Sequence, residues 1–259
     1  MAFIFNFYED WKDDKERLIL YADIMGFKSR VLSMSHSKIK KDFKKFKELF
    51  DKKITPLSSS GESLKYVQFS DSILIVVNGV DNRMFNLISQ AASILMEVAL
   101  SMGFPIKGVI SQGVFTYEKE SELYFGRPLV DAAVLHDEMY FYGILVHNSA
   151  EKTVKKYNNL NYPYTKTAVF LKKGKTCHYH LAWNVISDNI KISKGEKNKK
   201  SCDANKWLEN IQEHVSGSPR IYIDNTLLIL HEDEKEFNKM ILKNMEIKGD
   251  KEIFGYQLF

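Results

Sequence analysis

Leu64-Lys-Tyr-Val-Gln-Phe69-Ser70-Asp71-Ser72-Ile73-Leu-Ile-Val-Val77 contains two strand-like runs, Leu64–Phe69 and Ile73–Val77, joined by Ser70-Asp71-Ser72. Apolar and β-branched residues fill both runs and small polar residues fill the joint, so the segment reads as a hairpin with an aspartate at its tip. Its neighbours decide which sheet it enters. Upstream, Ile39, Phe43, Phe46, Leu49 and Phe50 recur at helical spacing among lysines. They predict an amphipathic helix over Lys38–Lys53, ended by Pro56 and Ser58–Gly61. Earlier still, Leu18–Ala22 is a short apolar run closing on Asp23, which reads as a buried strand. Downstream, Met84, Leu87, Ile88, Ala91, Ile94, Leu95 and Val98 mark one face of a second helix, with Gly103 and Pro105 as its stop. Ile106–Val114 follows as a strand. The order β-α-β-β-α-β is that of a ferredoxin-like sandwich, an α+β fold.

Further along, Leu129–Glu138 reads as a helix and Ile144–His147 as a strand. Thr167–Leu171 and His178–Trp183 flank Lys172-Lys173-Gly174-Lys175 as a hairpin with a basic turn. These additions extend the fold to residues 15–190, expected to form one catalytic domain. Residues 191–202, which include the basic Lys194–Lys200, read as a linker or loop, and 203–259 as a small C-terminal appendage. In the appendage Asp203–Val215 forms one element. Ile221–Leu230 is ambiguous between strand and helix.

Composition narrows the classes. The 259 residues are 44% hydrophobic and 27% charged, enough to fill a core. A net charge of +4, from 37 basic and 33 acidic side chains, is too small to argue for a nucleic-acid partner, though it suits a phosphate-rich small ligand. Cys177 and Cys202 form no disulfide framework and fit a reducing compartment. The most apolar stretches, such as Ser72–Val77 and Ala91–Leu100, fall short of the roughly 20 residues a membrane span needs. Met1–Tyr8 is apolar, but the acidic residues after it do not make a signal peptide. The expectation is a cytoplasmic protein without a membrane partner.

Asp23 and Asp71 carry the chemistry. Each ends a strand expected to be buried, and the β-α-β-β order allows both to reach one edge of the sheet. Two carboxylates about 4 Å apart repel by roughly 4 kcal/mol at an effective dielectric near 20, so either a positive group is expected between them or one of them takes up a proton. Hard divalent ions combine such carboxylates with substrate phosphates. An aspartate at a strand end is also an ordinary turn or cap residue, which is the plain reading of either one alone.

Four stretches in order resemble the class III nucleotidyl cyclases, over about Leu18 to Ala150. Leu20-Tyr21-Ala22-Asp23-Ile24-Met25-Gly26-Phe27 is similar to the first metal motif, and Gln68-Phe69-Ser70-Asp71-Ser72 to the second metal aspartate on its hairpin. Lys107-Gly-Val-Ile-Ser-Gln-Gly113 resembles the family's strand with a basic residue and glycines. Gly126-Arg-Pro-Leu-Val-Asp-Ala-Ala133 resembles the segment that opens its next helix. The resemblance implies that Asp23, Asp71 and the Ile24 carbonyl coordinate two Mg²⁺ or Mn²⁺ ions. It implies further that the backbone of Ile24, Met25, Gly26 and Phe27, with Ser70, cradles the phosphates of a nucleoside triphosphate. It also implies a homodimer with two shared active sites.

Departures from the family pattern fall on the base-reading and transition-state positions. Val67 and Leu123 stand where purine cyclases place polar base readers, and Asp131 and Leu135 stand where the transition-state pair belongs. Lys107 and Arg127 are the candidate replacements for the missing cation. The bacterial pyrimidine cyclases of antiphage defence resemble the chain more closely, including at the Lys172–Trp183 hairpin and Asn225-Thr226. That likeness implies a cyclic UMP or cyclic CMP product, with UTP placed ahead of CTP, acting on a separate effector without direct contact. The rival readings are an inactive cyclase fold that binds a nucleotide or a protein, and a polymerase-like transferase, for which no basic template track is present. His178, His180 and Cys177 read as a surface strand, and Trp183 and Trp207 as core or interface anchors.

Overall fold

A computed structural model of the chain describes residues 11, 14–58, 63–185, 204–213 and 215–248. The ferredoxin-like core consists of β1 (Lys15–Ile24), α1 (Phe27–Ser33), α2 (His36–Ile54), β2 (Leu64–Phe69), β3 (Ser72–Val77), α3 (Asn82–Ser101) and β4 (Ile106–Glu118). After it come β5 (Leu123–Phe125), α4 (Arg127–Glu138), β6 (Gly143–Val146), α5 (Glu151–Tyr157), β7 (Tyr164–Leu171) and β8 (Gly174–Leu181). Two helices close the described chain, α6 (Ala204–Gln212) and α7 (Ser218–Lys248). The strands lie in the order β2-β3-β1-β4-β6-β8-β7, with β5 paired to β4. All neighbours are antiparallel except β4 and β6. The β2-β3-β1-β4 part is the split β-α-β arrangement that the element order demands.

Period-2 alternation sorts β1 between two faces. Leu18, Leu20, Ala22 and Ile24 join the main core under α2 and α3, with Phe46, Phe50, Ile88 and Leu95. Ile19 and Tyr21 lie on the other face, in smaller clusters beneath α4 and beside β5. The Asp81 side chain caps α3 by accepting the Met84 amide at 3.0 Å. By length and composition α3 could cross a membrane. Instead it packs on the sheet, with Phe85, Ile88, Ala92 and Ala99 among its buried residues.

Ile221–Leu230 is helical, and the reason is a stripe that the leucines alone do not reveal. Ile223, Thr226, Leu230, Asp233 and Phe237 are all buried, at successive spacings of three and four. This stripe lays α7 along β7, so the two C-terminal helices α6 and α7 share the core of residues 15–185. Trp183 is buried in that core and Trp207 packs against it. Residues 191–202 lie outside the described residues.

The reading of His178 and His180 as a surface strand is corrected in part. Cys177 is exposed, but His180 is 2% exposed and its Nε2 lies 2.7 Å from Asp233 Oδ1. The partner comes from α7, which no local pattern on the strand could announce.

Candidate active site

Asp23 stands at the end of β1 and Asp71 in the two-residue loop between β2 and β3. Ser72 is the cross-strand partner of Asp23, and the Ile24 amide donates to the Asp71 carbonyl at 3.0 Å. The hairpin tip is therefore tied to the strand end that carries Asp23. Ser70, at φ 56°, takes the left-handed conformation at the first position of this loop. The sequence thus places both aspartates at one end of adjacent strands.

The Asp23 side chain lies on the face beneath α4. Its Oδ2 accepts the Tyr21 hydroxyl at 3.0 Å, while Oδ1 is buried with no hydrogen-bond partner among the described residues. Such an orphaned carboxylate oxygen is expensive unless a cation or donor reaches it. Oxygen donors of this kind suit a hard divalent ion, so the residues present fit the metal that the motif implies. Among the described residues no three His, Cys, Asp or Glu side chains converge on one point. Backbone or substrate oxygens would have to complete such a site.

Gly26 follows as the N-cap of α1 with φ 76°, a conformation that L side chains enter at a cost of roughly 1–2 kcal/mol. Its backbone turns the chain sharply from β1 into α1. Of the residues expected to cradle phosphate, Met25 has its amide committed to the Pro105 carbonyl at 2.7 Å. Phe27 packs edge-on against Phe43 at 5.1 Å. Ile24 is buried and Ser70 is exposed at the hairpin tip. A cleft of about 530 Å³ opens nearby, lined by Phe43, Lys44, Lys47, Tyr66, Gln68 and Ser70. It lies on the α2 side of the hairpin, whereas the Asp23 side chain lies on the α4 side.

Lys107 is the cross-strand partner of Asp23 on β4 and is 4% exposed. Its ammonium donates to the carbonyls of His136 at 3.2 Å and Met139 at 3.3 Å, closing the last turn of α4. Burial, reinforced by the Lys172 charge, holds its pKa below the usual lysine range. Lys107 therefore fixes the end of a helix beside Asp23, and its donors do not face open space.

Arg127 lies elsewhere. It begins α4, its side chain is 89% exposed, and it pairs with Asp131 at 3.5 Å. Nine residues separate it from His136, which is about 13 Å along a helix. Asp131 is partly exposed one turn on, and Leu135 packs beneath the helix. Val67 packs beside Ile19, Leu74 and Val76, and Leu123 is 48% exposed on β5. Gly126 permits the entry into α4, since a Cβ there would sit 2.6 Å from the Val114 carbonyl oxygen.

His136 was not singled out by the sequence reading. It is buried on the inner face of α4 with Pro128 and Ala132, and its Nε2 lies 3.7 Å from Asp23 Oδ2. The available signal was a lone imidazole at helical spacing from Ala132. Burial, and next the Lys107 charge, push its pKa down, which favours the neutral ring. α7 braces the same turn from behind. The Tyr222 hydroxyl donates to the Met139 carbonyl at 3.1 Å, Asn225 donates to the Tyr140 carbonyl at 2.7 Å, and the Tyr142 amide donates to Thr226 at 2.9 Å.

No protein-family model matches the chain, and no curated protein matches it. Among solved structures it is similar to the guanylyl cyclase Cya2, at 15% identity, with 66% of this chain and 93% of that one covered and a TM-score of 0.43. The adenylyl cyclase CyaB from P. aeruginosa is similar at 12% identity, with coverages of 65% and 94% and a TM-score of 0.44. So is the monomeric guanylyl cyclase domain of the RhoGC fusion protein from the aquatic fungus Blastocladiella emersonii. It shares 14% identity, with coverages of 65% and 95% and a TM-score of 0.47.

Proposed function

We propose that the chain is a nucleotidyl cyclase of the class III kind. It converts a pyrimidine nucleoside triphosphate, UTP ahead of CTP, into the 3′,5′-cyclic monophosphate and pyrophosphate. The observation that carries this reading is the joining of Asp23 and Asp71 at one end of the sheet through the bond from the Ile24 amide to the Asp71 carbonyl. Asp23, Asp71 and the Ile24 carbonyl would hold divalent Mg²⁺ or Mn²⁺. When bound, such ions neutralise phosphate charge and acidify the ribose hydroxyl. In the reaction the 3′-oxygen bonds to the α-phosphorus as the bond to the bridging oxygen breaks. Pyrophosphate leaves and the hydroxyl proton passes to solvent.

Val67 stands where purine cyclases place a polar base reader, and a purine edge read there would leave polar groups unpaired, which argues against a purine. The pyrimidine itself is taken from the resemblance to the pyrimidine cyclases. Shared sites in a homodimer are supported by the position of Arg127, whose distance along α4 keeps it from Asp23 of its own chain. The exposed apolar side chains of Val130 and Val134 on α4 and of Leu123 and Phe125 on β5 would be covered by the second copy. In this reading Asp131 and Arg127 act across the dimer and Lys107 positions the end of α4. The product serves as a second messenger for a separate effector in antiphage defence.

The test is incubation of the purified protein and Mn²⁺ with each of the four ribonucleoside triphosphates, followed by mass spectrometry. A cyclic pyrimidine monophosphate is expected, and Asp71→Ala should abolish it while the thermal midpoint changes little. A purine product alone would refute the base assignment. No cyclic product from any substrate would refute the enzyme.

A further inference from the structure

Two buried polar atoms near the end of β1 have no partner among the described residues: Asp23 Oδ1 and His136 Nε2. They belong to side chains that approach within 3.7 Å, Nε2 to Oδ2, which is too long for a hydrogen bond. Two donors each about 2.1 Å from one ion stand roughly 3 to 3.5 Å apart, close to the 3.7 Å between Nε2 and the carboxylate, so a modest adjustment that turns Oδ1 toward the ion would let one cation reach both side chains. The imidazole is held for such a role. Its helical turn is tied down by Lys107 and α7, and the Tyr21 ring meets it edge-on at 5.3 Å. Asp137 Oδ1 stands 3.6 Å from Nδ1, on the side where a ligating imidazole keeps its proton.

We infer that His136 Nε2 ligates a divalent cation together with Asp23, so that the site prefers nitrogen-accepting ions, Mn²⁺, Co²⁺ or Zn²⁺, over Mg²⁺. This rests on the proposed metal role of Asp23 and adds a nitrogen donor that the motif reading did not contain. Imidazole nitrogen suits the later first-row ions, whereas Mg²⁺ favours oxygen and retains its waters. No third His, Cys, Asp or Glu side chain converges there among the described residues, so backbone carbonyl, water and substrate phosphate would supply the remaining donors.

The experiment uses the full chain with Mn²⁺ alone as probe, read by pulsed electron paramagnetic resonance and by equilibrium metal binding. The bound ion should show a ¹⁴N coupling that changes to the ¹⁵N pattern in protein labelled with ¹⁵N-histidine. Asp23→Asn should abolish the coupling. His136→Gln should remove it and weaken Mn²⁺ about tenfold or more, while Mg²⁺ affinity falls less than about threefold. Mn²⁺ that binds in an Asp23-dependent way with no nitrogen coupling would overturn the His136 assignment and leave the carboxylate site standing. A coupling that survives in H136Q would overturn it too. If Mn²⁺ does not bind, or binds equally well to D23N, the metal role of Asp23 falls and His136 falls with it. Should H136Q fail to fold, the isotope experiment on the unaltered protein decides the matter.

Discussion

Asp233→Ala strikes the point where α7 is fastened to β7 and β8. Asp233 is 0% exposed and His180 is 2% exposed, with Nε2 and Oδ1 2.7 Å apart. Thr165 also donates to Oδ1, at 2.5 Å. Removing one member of a buried pair strands the other, and such losses run to about 3–5 kcal/mol. In a domain of this size each kcal/mol moves the thermal midpoint by about 2–4 °C, so the variant should melt roughly 6 to 20 °C lower. The pH dependence is a sharper check. Burial alone would lower the His180 pKa, but the charge and hydrogen bond of Asp233 raise it above the usual histidine value. Its contribution is therefore fully present below about pH 6.5 and lost as pH rises through the folded value. His136 and His147 are pushed the other way, chiefly by burial, and favour folding as pH rises. They remain in Asp233→Asn, so the difference between wild type and D233N isolates His180. Urea unfolding followed by circular dichroism between about pH 6 and 9 should show the advantage of wild type shrinking, by at most about 1.4 kcal/mol per pH unit. Parallel curves, or a D233A loss below about 1 kcal/mol, would refute the pairing as a stabilising element.

Lys107→Met should lower stability by about 1–3 kcal/mol in urea unfolding, because two carbonyls at the end of α4 lose a charged donor. A change within about 0.5 kcal/mol would show that water replaces the ammonium there. If sites are shared across a homodimer, mixing inactive Asp71→Ala and Arg127→Ala chains should restore about a quarter of wild-type turnover, since half the dimers carry one intact site. No recovery after exchange of subunits would refute the shared site.

Much of the scaffold was legible because it rests on local periodicity. The apolar, β-branched runs within Leu64–Val77 report strands, and the helical spacing from Ile39 to Phe50 reports which side of that helix is apolar. The β-α-β-β-α-β order then leaves few ways to arrange four strands. Asp23 and Asp71 were readable for the same reason, since each ends a strand at a turn and the topology brings those ends together. Elements whose burial comes from distant partners were harder to read. His180 sits on a strand whose neighbours Cys177 and His178 are exposed or half-buried, and only the arrival of α7 puts it inside. The stripe on α7 includes Thr226 and Asp233, so its apolar signal is diluted by residues that are buried because they are bonded.

From the amino-acid sequence alone follow the element order, the ferredoxin-like core and the location of two acidic residues at strand ends, because these depend on patterns within a dozen residues. The tertiary structure alone decides what surrounds them. It turns Lys107 to the carbonyls of α4, carries Arg127 away to the far end of that helix, and brings His136 beside Asp23. Those outcomes depend on how α4 and α7 settle on the sheet. That is a matter of side chains far apart in the chain, from 29 residues for Lys107 and His136 to 85 for Asn225 and Tyr140, competing for the same buried space, which no local pattern encodes.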